Sequence, residues 1–267
     1  MSFPPQRIVC LTEETVETLY LLGQSDRIVG VTGYAVRPAR VRREKPRVGA
    51  FTSADVPKII ELQPDLVLTF SDLQAEIAAD LIRLGVTVHA FNHRTVAGIL
   101  DMIRTLGAMC GCSGRAYALT EGYKRRIEAL RAVVQFKRPR VYFEEWDDPP
   151  ISGIGWVSEL IEIAGGQDVF AHLRHEQGAK ARILDPRQII DSAPDVIIAS
   201  WCGKKVRPEK IAARTGWQDI PAVRNGRIIE IKSPLILQPG PAALTDGLDA
   251  IVAAIWPEKE CFDHVAP

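Results

Sequence analysis

Apolar residues along this chain fall into two alternating rhythms. Short runs rich in β-branched residues recur at Arg7–Leu11, Arg27–Val31, Leu66–Phe70, Val86–Phe91, Arg140–Glu144, Val196–Ser200 and Arg227–Ile231, and each reads as a buried strand. Between them lie amphipathic stretches of helical period. The first is capped by Thr12, whose hydroxyl is placed to accept an orphan N–H, and runs to Leu22 before Gly23. Others span Asp55–Leu62 with a cap at Ser53, Leu73–Leu84 before Gly85, and Val96–Leu106 before Gly107. The second half adds Val157–Ala164 before Gly165-Gly166, Pro186–Ser192 and Ala243–Ile255. Strands alternating with helices predict parallel, doubly covered sheets.

The pattern repeats. Ile59-Ile-Glu-Leu-Gln-Pro-Asp-Leu-Val-Leu-Thr69 and Ile189-Ile-Asp-Ser-Ala-Pro-Asp-Val-Ile-Ile-Ala199 share a helix end, a Pro-Asp turn and a strand. Proline ends the helix by removing a donor and disfavouring helix in the residue before it. The offset, 194 − 64 = 130 residues, is about half the chain. Two related α/β lobes are therefore expected: an N-terminal lobe over 1–112, a linking helix over 113–137 and a C-terminal lobe over 138–267. Leu119, Tyr123, Ile127, Leu130 and Val134 mark one face of that helix.

Composition narrows the partners. The 267 residues carry 33 basic and 33 acidic side chains, for a formal net charge of zero, so nothing favours nucleic acid, which calls for a basic stripe. No apolar run nears the roughly 20 residues that span a bilayer. MSFPPQRIVCL lacks the basic and apolar regions of a secretory signal, which gives a cytoplasmic expectation for the chain as written, and a periplasmic one if a leader was removed. Five irregularly spaced cysteines argue against a disulfide framework.

Several segments together resemble a known family: Arg7-Ile-Val-Cys-Leu-Thr12, Ile28-Val-Gly-Val-Thr32 followed by Tyr34, Arg47-Val-Gly49, Ile59 to Leu68, Ile151-Ser-Gly153, Leu160-Ile-Glu-Ile-Ala-Gly-Gly166 and Pro194-Asp-Val-Ile197. In order and spacing they are similar to the substrate-binding proteins of cobalamin and ferric-siderophore ABC importers, most of all the cobalamin-binding branch. The resemblance implies two Rossmann-like lobes with mainly parallel sheets joined by one long helix, a ligand in the cleft, and an importer permease as partner. It also implies aromatic side chains that hold the corrinoid, matched by position to Tyr34 and Phe70. Both follow strand ends, where ligands bind in open α/β sheets.

The second half supplies the rest of the candidate site. Tyr142-Phe-Glu-Glu-Trp-Asp-Asp148 has four carboxylates in five residues just after a strand; such a run is costly to bury unpaired, so some of it must face solvent, a cation or polar ligand groups, the alternative being a solvated turn. Trp146 and Trp156 offer flat apolar surface, and Glu145 a polar contact. Ser200-Trp-Cys-Gly-Lys-Lys205 follows the repeated strand, which sets Trp201 opposite Phe70 across the expected cleft. Trp-Cys-Gly is shared with the thioredoxin motif, but Lys205 stands where its second cysteine would be; Cys202 could instead meet a metal as thiolate, with Lys204 or Lys205 lowering its pKa. Ser233–Pro241 reads as a rigid proline-rich loop in which Gln238 can hydrogen-bond an amide-rich ligand. His172 and His175 would share a helix face suited to zinc. Gly153-Ile-Gly155 is a poor dinucleotide fingerprint because Ser158 replaces its third glycine. Nucleophile-elbow and zincin motifs are absent.

The expectation is thus a non-catalytic binder of a cobalamin-like corrinoid, for import or intracellular handling, with Tyr34, Phe70, Trp146 and Trp201 as an apolar clamp and Glu145, Lys204 and Gln238 as polar contacts. The alternatives are a ferric-siderophore or haem binder, and a cytosolic corrinoid-processing enzyme using Cys202.

Overall fold

The computed structural model describes residues 3–133 and 138–257; Val134, Cys261 and His264, and the expected end of the linking helix at 137, lie outside them. The chain forms two compact units. The first comprises residues up to His93 together with Ala97–Glu121, and the second comprises Arg94–Val96 and the chain from Gly122 on.

In the first unit the order is β1 (Ile8–Cys10), α1 (Glu13–Leu21), β2 (Ile28–Val31), α2 (Val41–Glu44), α3 (Val56–Glu61), β3 (Leu66–Phe70), α4 (Ala75–Arg83), β4 (Val88–Phe91) and α5 (Val96–Met109). The 20-residue α6 (Ser113–Ala132) then carries the chain into the second unit. The four strands form a parallel sheet in the order β2-β1-β3-β4. Every residue of β1 and β3 is buried, as continuous apolar strands covered on both faces must be.

The second unit runs β5 (Arg140–Asp147), β6 (Pro150–Ser152), α7 (Gly155–Ile163), β7 (Gln167–Asp168), α8 (Pro186–Ser192), β8 (Val196–Ala199), α9 (Pro208–Ala212), α10 (Pro221–Arg224), β9 (Ile228–Glu230), α11 (Ser233–Ile236) and α12 (Leu248–Ile255). Strand β5 pairs in parallel with β7 on one side and β8 on the other, and β8 pairs with β9. The parallel order β7-β5-β8-β9 repeats that of the first unit; β6 is an added antiparallel strand on the far end of β5. The sheets are mainly parallel in both units, as expected.

The Pro-Asp repeat proves to be a clamp built twice. Asp65 accepts from the backbone N–H groups of Gln6 and Arg7 at 2.7 and 2.9 Å, and Asp195 accepts from that of Arg140 at 2.8 Å. The Arg7 guanidinium donates to Leu62 and Gln63 carbonyls at the end of α3. That of Arg140 donates to the Ser192 carbonyl at the end of α8. These last-turn carbonyls have no helical partner, so each arginine satisfies them while fixing its helix to the first strand of its sheet. The residues before the prolines, Gln63 and Ala193, both take positive φ (47° and 40°).

Several local expectations are corrected. Thr12 does stand at the N-cap of α1, but its hydroxyl meets that of Thr15 at 3.2 Å and caps no backbone N–H. The cap of α3 is Asp55, through Lys58 N–H, instead of Ser53. Helix α5 continues through Gly107 to Met109; a Cβ on Gly107 would stand 2.3 Å from that of Ala116, so this glycine permits close approach of α5 and α6 and does not stop the helix. Strand β5 extends past Glu144 to Asp147, so three of the four acids lie on the strand and Asp148 stands in the turn that follows. The loop expected at Ser233–Pro241 contains α11. His172 lies in a single 3-10 turn, Ala171–Leu173, that excludes His175, and no cluster of metal-ligating side chains occurs among the described residues.

Candidate functional site

In the second unit the carboxyl ends of β5 and β8 lie side by side, with Ser200 N–H donating to the Glu144 carbonyl at 2.9 Å. This brings Glu145, Trp146, Trp201, Cys202 and Lys204 to one end of the sheet. The paired register of β5 and β6 slips between Glu144 and Trp146, leaving Glu145 as a bulge residue. Such an extra residue bends the strand and re-aims its side chains.

Each acid of the run that lies on β5 has its own base. Glu144 is fully buried and takes four hydrogen bonds: from Tyr142 Oη at 3.1 Å, from Trp201 Nε1 at 3.1 Å, and from Arg214 Nη1 and Nη2 at 2.5 and 3.0 Å. Burial pushes this carboxyl above its ordinary range, against the opposing pull of Arg214. Arg214 also lies over the Trp217 ring, 4.5 Å from its centroid. Glu145 is held by the buried Arg182 at 2.6 and 3.1 Å. Asp147 is held by Lys204 Nζ at 2.5 Å. The expected cost of burying this run is thus met by pairing, with bases drawn from 37 to 70 residues away.

The aromatic groups differ in their roles. Lys204 Nζ sits 4.3 Å from the Trp146 ring and 5.1 Å from that of Trp201, both within cation–π range. Trp146 donates its N–H to the Asp148 carbonyl at 3.1 Å. Trp201 is 4% exposed and belongs to an apolar cluster with Tyr142, Phe170 and Trp217. Trp156 is 2% exposed at the start of α7 and donates to the Ile236 carbonyl at 2.8 Å; its part here is to anchor α11. Cys202 is exposed, and Gln238, half-buried, follows α11.

In the first unit Tyr34 is 50% exposed beyond β2. Phe70, buried at the end of β3, meets His93 edge-on with ring centroids 5.4 Å apart. A residue not foreseen holds this end together. The buried Gln74 accepts from Phe70 N–H at 3.0 Å and donates to the carbonyls of Leu11 and Phe51 at 3.1 and 2.7 Å, tying the ends of β1 and β3 to one loop. Beside it Ser71 takes φ +61° and ψ 177°, a strained region left almost wholly to glycine.

A two-unit protein with parallel α/β sheets and aromatic, charge-compensated strand ends has the build of a small-molecule binding protein. The chain belongs to the periplasmic binding protein family, whose model matches residues 8–235; its members are non-catalytic binding proteins of ABC importers. Among curated proteins it is 26% identical over 265 residues to the uncharacterized ABC transporter substrate-binding lipoprotein YvrC of Bacillus subtilis, covering 95% of this chain and 81% of that one. It is 24% identical over 250 residues to the vitamin B12-binding protein of Vibrio cholerae, covering 91% and 86%. Among solved structures it matches the periplasmic heme-binding protein RhuT from Roseiflexus in apo form, with TM-score 0.78, 25% identity, and 94% and 99% of the two chains covered. No helix among the described residues is long and apolar enough to cross a membrane.

Proposed function

We propose that this protein binds a cobalamin-like corrinoid and hands it to an ABC importer permease. One observation carries the choice of ligand: the strand ends of the second unit gather the Trp146 and Trp201 indoles at Lys204 while Glu144, Glu145 and Asp147 are each paired with a base. A neutral aromatic surface suits a broad ring whose rim carries neutral amides. A ligand with several carboxylates would need cations, and Arg182 and Arg214 are already engaged by Glu145 and Glu144. The vitamin B12-binding relative supports the same reading, and the substrate-binding lipoprotein relative supports the importer. Tyr34, Phe70, Trp146 and Trp201 form the apolar contacts, and Gln238 an amide contact. Haem is the second reading, favoured by the likeness to RhuT.

The test is a titration of the purified protein with cyanocobalamin and, separately, hemin, followed by visible absorption and thermal melting. A shifted corrin spectrum and a raised Tm with cyanocobalamin alone are expected. Hemin binding with no response to any corrinoid would overturn the choice of ligand. Trp146→Ala, at an indole that is only partly buried, should weaken binding about two- to tenfold, since a stacked aromatic contributes roughly 0.5–1.5 kcal/mol beyond its buried area.

A further inference from the structure

Lys204 occupies the surface on which a flat ligand would stack. Its ammonium lies 4.3 and 5.1 Å from the two indole centroids and 2.5 Å from Asp147 Oδ1. A cation held by two ring faces and a carboxylate is a complete recognition site, and here the protein's own side chain fills it. The remaining contacts of both indoles point elsewhere. Trp146 N–H is bound to the Asp148 carbonyl, and Trp201 N–H is bound to Glu144 inside the unit. Trp201 packs in the apolar cluster of Tyr142, Phe170 and Trp217, with Trp146 packed against it, and Lys204 lies over a face of each indole.

The Lys204 side chain has open solvent to swing into. Lys204 is 42% exposed, and its neighbour Gly203 has φ +75° with open space where a Cβ would point. Glycine there meets no steric barrier to a change of backbone conformation. Trp201, by contrast, is fixed by its buried carboxylate partner. An exposed cation thus rests against two aromatic rings.

We propose that Lys204 is a latch: it covers the Trp146 and Trp201 faces in the empty protein and is displaced when a flat ligand stacks on them. This rests on the reading of those indoles as ligand surface, and it reverses the simpler expectation that Lys204 is a ligand contact. Removing a contact weakens binding, whereas removing a latch tightens it. Two exposed cation–π contacts and one exposed ion pair set the penalty at about tenfold.

The test compares wild type with Lys204→Met, which keeps most of the apolar stem, and Asp147→Asn, which loosens the ammonium. Cyanocobalamin is the binding probe. Acrylamide, a neutral quencher, reads the same latch with no ligand present. Steeper quenching of tryptophan fluorescence and about tenfold tighter cyanocobalamin binding in Lys204→Met are expected, with a smaller change of the same sign in Asp147→Asn. Unchanged quenching, or binding equal to or weaker than wild type, overturns the latch. If neither wild type nor variants bind any corrinoid, the ligand reading fails, and the quenching result alone decides whether Lys204 covers the indoles.

Discussion

Replacing Arg214 by methionine isolates the energetics on which the second unit's site stands. The substitution keeps an apolar stem over Trp217 but deletes both bonds to Glu144. Glu144 stays fully buried with only the Tyr142 and Trp201 donors. Stranding one member of a buried ion pair costs about 3–5 kcal/mol. Arg214 retains 22% side-chain exposure, so water offsets part of this and about 3 kcal/mol is expected. At roughly 2–4 °C per kcal/mol for a unit of this size, Tm should fall by about 6–12 °C. The pH dependence has a definite sign. Glu144 already titrates above its ordinary value because burial disfavours its charge, and losing Arg214 removes the main opposing pull. A carboxyl whose folded pKa lies above its unfolded one contributes stability fully present below the unfolded value and lost as pH rises through the folded one. The deficit of Arg214→Met should therefore grow from acid toward neutral pH, by at most about 1.4 kcal/mol per unit. Urea melts at several pH values measure it, with Glu144→Gln and the double variant completing a cycle. The double variant should recover more than half of the loss. A deficit under about 1 kcal/mol, no pH dependence, or strict additivity would refute the account.

Four other outcomes follow from the same structure. Asp65→Ala and Asp195→Ala each remove a clamp and should cost about 1–3 kcal/mol in denaturant melts, with the transition of the affected unit moving. Ala193→Gly relieves a φ of 40° and should raise Tm slightly, by about 1 kcal/mol of stability. Gly107→Leu forces the α5 and α6 backbones apart and should destabilise by at least about 1–3 kcal/mol. Glu14, buried in α1, titrates at about 7 instead of 4.5 because of burial, so its contribution is present below pH 4.5 and lost as pH rises through 7. Glu14→Gln should flatten that loss, leaving the variant on the order of 3 kcal/mol more stable than wild type at pH 8, as a pH series of melts would show.

What could be read from the sequence was what is encoded locally. Apolar runs bounded by Gly and Pro located most of the strands and helices, because period and punctuation are properties of neighbouring residues. The acidic stretch could not be read this way. Four carboxylates in five residues look like a solvated turn until Arg182, Lys204 and Arg214, 37, 57 and 70 residues from their partners, arrive to pair three of them. Gly107 was misread for the same reason: its low helix propensity is a local fact, and the nearness of Ala116 is a tertiary one. Gln74 carried no signal at all, since an amide that bonds three backbone groups looks like any surface glutamine until those groups converge.

The repeated sheet order shows where the two units agree and where they part. At the amino ends of the third strands, β3 and β8, both use the same aspartate, arginine and positive-φ residue. At the carboxyl ends the offset of 130 matches Phe70 with Ser200, and Ser71 with Trp201. Phe70 and Trp201 are therefore not equivalent positions; Trp201 stands one residue beyond the counterpart of Phe70. The supports differ as well. The Phe70 end is organised by a neutral amide, Gln74, and the Trp201 end by a buried ion pair, Glu144 with Arg214. A clamp at the amino end secures a strand whatever lies at the other tip, so the carboxyl ends could diverge without loss of fold. Ligands of open α/β sheets meet those carboxyl ends. The repeat therefore secures the amino ends of β3 and β8 alike, and under the proposed function ligand choice falls to the residues where the repeat breaks down: Phe70, Ser71 and Gln74 in the first unit, and Trp146, Trp201 and Lys204 in the second.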